Sequence, residues 1–138
     1  VKSSNYQDLK VWQKAIDLTA EIYRLVKCLP RDEQYALSDQ MRRAAVSVPS
    51  NIAEGRGRGT NKEFVHYLLM SRGSLWELST QLVICERLHY LDQTQTTHVR
   101  QLITEISKMI NALANSFSPC KELEKNKMVD FMIFMQLS

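Results

Sequence analysis

Glycine and proline are scarce in this chain, with four and three copies among 138 residues. No stretch carries a β pattern worth a strand, and no block of sequence repeats. Cysteine is equally thin. Cys28, Cys85 and Cys120 are odd in number and widely spaced, which speaks against a disulfide framework and for a reducing, cytoplasmic setting. Val1–Asn5 lacks the apolar core of a secretory leader, and no apolar run approaches the about 20 residues that span a bilayer. Charge of one sign is also missing. Eighteen Lys and Arg against fifteen Asp and Glu leave +3, which permits an acidic partner such as RNA without demanding one. What remains, 44% hydrophobic and 24% charged residues, is the composition of one ordinary globular domain.

Helical periodicity fills most of the chain. A first helix is expected over about Asp8–Cys28, with Leu9, Trp12, Ile16, Tyr23 and Val26 on one face, Asp8 as N-cap and Leu29-Pro30 as the stop. A second begins near Arg31–Glu33, whose acids suit a helix N-terminus. It continues through Pro49, because Met41, Ala45, Val48 and Ile52 keep intervals of four, three and four. An internal proline costs roughly 3 kcal/mol, so a kinked helix with compensating packing is expected. That helix stops at Gly55, and Gly55, Gly57 and Gly59 supply a flexible or left-handed exit. Thr60–Glu63 fits a capping box that opens a third helix reaching about Leu88. Gly73 in its middle suggests a close approach by a neighbouring helix. A fourth helix covers about Thr94–Phe117 and stops before Pro119. Short links between such long helices give an all-α, antiparallel up-down four-helix bundle over residues 1–118. Residues 119–138 form a separate tail, charged and then apolar, either a disordered end or a segment that docks on a neighbouring subunit.

Three motifs carry a resemblance: DLKVWQK at Asp8–Lys14, RAAVSVPSNIAEGRGR at Arg43–Arg58 and GSLWELSTQL at Gly73–Leu82. In order and spacing they resemble the four-helix bundle family named for intervening sequences in 23S rRNA genes, over roughly residues 6–117. A related branch comprises the accessory proteins of diversity-generating retroelements, basic pentameric barrels that partner a reverse transcriptase. The resemblance implies a fold and a homo-oligomeric ring, most simply a pentamer, rather than an activity. Family members usually end near the fourth helix, so the tail departs from the pattern.

Two polar lines flank the apolar stripes. Arg43, Ser47, Asn51 and Glu54 lie on the second helix, and Glu63, Tyr67, Ser71, Ser74 and Glu77 on the third. They suggest a polar seam between helices or between subunits, with Arg43 meeting a carboxylate such as Glu77. Cations concentrate in the same region: Arg42, Arg43, Arg56, Arg58, Lys62 and Arg72. These are the candidate nucleic-acid contacts, suited to phosphate oxygens and multiplied if subunits surround one axis.

Other chemistry is disfavoured. Gly59–Lys62 lacks the spacing of a phosphate loop and follows a helix. Cys85, His89 and His98 do not complete a metal set, and Glu63 with His66 is a single copy of a pair that di-iron bundles need twice. Trp12 and Trp76 are expected as core or interface anchors. The expectation is a non-enzymatic scaffold or adaptor without cofactor, metal, membrane or small-molecule substrate. It would bind RNA or a protein–RNA complex through the basic region, with a reverse transcriptase as one partner. The alternative is a protein-interaction module that uses the polar seam and the apolar tail.

Overall fold

A computed structural model describes residues 5–117 and 134–135. Four helices pack together: α1 (Lys10–Val26), α2 (Leu37–Gly57), α3 (Asn61–Arg87) and α4 (Gln93–Phe117). Among the described residues there is no strand. Each helix sends its apolar stripe inward, so that Leu18 and Ile22 of α1, Met41 and Ile52 of α2, Leu68 and Leu75 of α3, and Ile103 and Ile106 of α4 are fully buried. Burial of this kind stabilises by roughly 1.5–3 kcal/mol per large aliphatic side chain.

The helix starts differ from the expected ones for identifiable reasons. Asp8 is not an N-cap. It ends a 3-10 turn, Tyr6–Asp8, whose own cap is the Asn5 carboxamide accepting from the Gln7 N–H, and α1 follows from Leu9. Arg31–Glu33 likewise forms a separate 3-10 turn. Its acid still serves α2, but from outside, because Glu33 Oε2 accepts the Leu37 N–H at 3.1 Å.

Helix α2 runs unbroken through Pro49, which is buried. Proline has no N–H, so the Ala45 carbonyl loses its normal helical donor. Thr19 of α1 answers this, with its Oγ1 3.0 Å from the Ala45 oxygen and 2.8 Å from Ala15 O on its own helix. One hydroxyl proton is thus shared between two carbonyls, one of which the proline leaves unserved.

The glycines also divide their roles unexpectedly. Helix α2 passes Gly55 and ends at Gly57, and among the glycines only Gly59 is left-handed, with φ +85°. Gly55 is buried where α2 meets α3, and a Cβ there would lie 2.6 Å from the Cβ of Tyr67. Gly73, where a close approach was expected, is exposed, and a Cβ would meet nothing within 4 Å among the described residues.

The boundary placed at 118/119 and nearly all of the tail lie outside the described residues. Of the tail, Phe134 is buried and packs on Trp76 of α3 at a ring-centroid distance of 6.1 Å. No helix among the described residues is long and apolar enough to cross a membrane.

Two substitutions separate the glycine roles by urea denaturation. Gly55→Ala should destabilise by about 1–3 kcal/mol through overpacking against Tyr67, whereas Gly73→Ala should stabilise by about 0.5–1 kcal/mol. Thr19→Val should cost about 1–3 kcal/mol, the penalty of leaving the Ala45 carbonyl unpaired.

Candidate nucleic-acid interface

The turn between α2 and α3 is built from a few local rules. Arg58 follows the last helical residue, Gly59 takes the left-handed conformation, and Thr60 is extended. Thr60 Oγ1 then accepts the Glu63 N–H at 3.2 Å and starts α3. The close contact at Gly55 lets Phe64 and Tyr67 lie against the end of α2. Arg56 sits over the Phe64 ring at 5.6 Å and Arg58 over the Tyr67 ring at 5.3 Å. Arg58 is fixed further by Glu54 at 2.7 Å and by donating to the Tyr67 hydroxyl at 2.9 Å. The hydrogen bond to Glu54, followed by the field of Tyr67, raises its already high pKa. Lys62 is exposed in the first turn of α3.

The other predicted cations sit elsewhere. Arg42 donates to the Gln34 carbonyl at 3.0 Å, and Arg43, exposed, pairs with Asp39 at 3.0 Å. At 1.5 Å rise per residue, these two lie about 20 Å along α2 from Arg56 and Arg58. Arg72 faces α4, stacking on Trp76 at 5.2 Å and donating to Asn111 Oδ1 at 3.1 Å. The six cations therefore form three separate groups. The group at the α2–α3 turn is the one set on a loop between helices.

The two polar lines meet within one chain for part of their length. Ser47 Oγ bonds Ser74 Oγ, and the buried Ser71 hydroxyl donates to the Val48 carbonyl at 2.9 Å. Tyr67 and Glu54 join through Arg58. Three members do not cross. Asn51 turns back to the Ser47 carbonyl at 2.8 Å, Arg43 pairs along its own helix with Asp39, and Glu77 accepts from Gln81 at 3.3 Å. Arg43 and Glu77 are thus satisfied separately rather than by each other. Glu63 is exposed.

One polar cluster was not anticipated. Glu86 near the end of α3 accepts from Arg100 at 2.7 Å and from the buried Thr96 hydroxyl at 2.9 Å, tying α3 to α4. The four-residue spacing of Thr96 and Arg100 puts both on one face of α4, which is the signal that marks it. The same helix end carries His89 in the left-handed region at φ 59°.

No group of three or more His, Cys, Asp or Glu among the described residues could hold a metal ion. Cys85 points into the core, with its sulfur 3.6 Å from that of Met41, whereas His89 and His98 are exposed. Burial, then the nearby carboxylates Glu33 and Glu86, push the Cys85 thiol up from 9.0 to about 11.

Comparison with known proteins follows the same lines. The model of the 23S rRNA-intervening sequence protein family matches residues 7–112. A crystal structure of a protein of unknown function from the S23 ribosomal protein family of Bacteroides thetaiotaomicron superposes with a TM-score of 0.69 at 24% identity. The match covers 75% of this chain and 97% of that one. No curated protein matches the sequence.

The thiol environment gives a direct test. Alkylation at pH 8 followed by mass spectrometry should modify the exposed Cys28 readily and leave Cys85 intact until the protein unfolds. Because its folded pKa is raised, the buried thiol contributes stability that is complete below pH 9.0 and lost as the pH climbs through about 11.

Proposed function

We propose that this chain, which belongs to the 23S rRNA-intervening sequence protein family, is a non-enzymatic oligomeric scaffold or adaptor that engages RNA through its sugar–phosphate backbone. The observation that carries this reading is the pair of guanidinium groups at the α2–α3 turn, Arg56 and Arg58, held over Phe64 and Tyr67 with Lys62 exposed beside them. A cation stacked on a ring is ordered before its ligand arrives, so less side-chain entropy remains to be lost on binding. Phosphate oxygens match both the charge and the donor geometry of arginine.

A single copy offers a modest field, since Glu54 offsets Arg58. Assembly resolves this. In a homo-oligomeric ring, five-fold by family resemblance, the same turn recurs around one axis and the local excess of charge multiplies. The subunit we envisage is an antiparallel up-down bundle bent at Pro49. The pairing of Ser47 with Ser74 and of Gly55 with Tyr67 supports opposed directions for α2 and α3. A cytoplasmic location belongs to the same proposal. So does a reverse transcriptase as partner, by analogy with the retroelement branch.

A second reading, a protein-interaction module without nucleic acid, draws on the exposed Tyr23, Val46 and Met70, apolar residues on α1, α2 and α3. Docking of Phe134 on Trp76 adds an apolar contact made by the tail. Salt separates the two readings, because phosphate contacts weaken steeply with salt and apolar ones do not.

The test is fluorescence anisotropy of a labelled structured RNA between roughly 50 and 200 mM salt. Binding should fall sharply with salt, and the double variant Arg56→Ala/Arg58→Ala should lose it while keeping the oligomer seen by light scattering. Salt-insensitive binding, or full binding by the double variant, would refute the assignment.

A further inference from the structure

The face shared by α3 and α4 carries an ordered aromatic site. Trp76 of α3 is half-buried there. Arg72, one turn earlier, stacks on its ring at 5.2 Å and donates to Asn111 of α4 at 3.1 Å. The indole is thus held by a side chain that is itself anchored on the neighbouring helix. Tryptophan and arginine are among the residue types enriched where protein interfaces draw most of their binding energy.

What sits on this face shows which chemistry it takes. Phe134 packs on the Trp76 ring at 6.1 Å with the planes tilted by 55°, and is 5% exposed, while the adjacent Met135 is 56% exposed. The contact made by the described tail residues is therefore one aromatic side chain. It is an incomplete fit. With Phe134 seated, Trp76 Nε1 is buried and has no hydrogen-bond acceptor among the described residues. The Gln81 carboxamide also has an unpaired oxygen, but its nitrogen still donates to Glu77. An indole has no second polar atom, so its whole hydrogen-bonding capacity is forfeited. Buried tryptophan N–H groups ordinarily find a partner. Phe134 also lies beyond the family match, whereas Trp76, Arg72 and Asn111 lie within it.

We infer that this face is a docking site for a segment of a partner protein, and that Phe134 is its built-in competitor. The partner's segment brings an aromatic side chain to the seat that Phe134 takes, together with an oxygen that accepts from Trp76 Nε1. The ring follows from the residue already seated, and the oxygen from the donor that this residue leaves unserved. A ligand that supplies both regains the hydrogen bond that the tail forfeits, and so displaces Phe134 despite the advantage of its covalent tether. The site uses none of the residues assigned to RNA at the α2–α3 turn.

Nuclear magnetic resonance of the full chain, isotope-labelled in its tryptophans, reports on the site directly. Its two indole N–H signals belong to Trp12 and Trp76, and Trp12→Phe assigns them. The probes are two blocked peptides, Gly-Asp-Phe-Leu-Gly and the same peptide with alanine in place of phenylalanine. In Phe134→Ala, the phenylalanine peptide should move the Trp76 indole proton downfield, the direction of a gained acceptor. It should also bind this variant at least about tenfold more tightly than the unaltered chain. The alanine peptide should bind the variant at least about tenfold more weakly than the phenylalanine peptide. Phe134→Leu, which keeps an apolar contact without the ring, should fall between the two chains, and a dispersed spectrum shows each variant folded. Equal binding by the altered and unaltered chains, equal binding of the two peptides, or a Trp76 proton that does not move overturns the inference. So does recovery of the unaltered signal when unlabelled wild-type protein is mixed with labelled Phe134→Ala, which would assign the seat to tails exchanged between copies.

Discussion

The packing of the four helices depends on α2 remaining one helix across Pro49. That proline leaves the Ala45 carbonyl without its helical donor, and the Thr19 hydroxyl reaches across from α1 to it. An unserved buried carbonyl would cost about as much as a lost core contact. The same hydroxyl that repairs α2 therefore fixes where α1 crosses it. From that crossing onward, Val48 and Ile52 stay in the core, and Ser47 meets Ser74 of α3.

The second constraint is steric. Gly55 lets the end of α2 lie against Tyr67 and Phe64, and this close packing brings Arg56 and Arg58 onto the two rings. Gly59 and Thr60 then turn the chain and cap α3. A packing requirement thus sets the placement of charge. The same residues that bury Gly55 also hold the guanidinium groups at the turn.

Much of this was legible in the sequence. Helical spacing gave the four helices and the buried stripe of α2, and Thr60–Glu63 marked the start of α3 correctly. The face named for α1 was misplaced, since Ile16 and Tyr23 are exposed while Val11, Ala15, Leu18 and Ile22 are buried. The starts of α1 and α2 were less legible. Asp8 and Arg31–Glu33 fall in 3-10 turns, and a capping acid can act from the turn as well as from the helix. The glycines misled for a related reason. Local sequence does not reveal which glycine meets a neighbour, so Gly73 was credited with the close approach that belongs to Gly55. Charge was the least legible feature. Intervals along one helix show which side chains share a face, yet Arg43 chose Asp39 on its own helix and Arg72 chose Asn111 on α4.

The central claim is that RNA lies on the α2–α3 turn. Ultraviolet cross-linking of the assembled protein to a uridine-rich RNA, followed by peptide mapping, addresses it most directly. The account predicts adducts on the segment from Arg56 to Tyr67, where Phe64 and Tyr67 lie under the arginines. Adducts confined to other helices, or none at low salt, would contradict it.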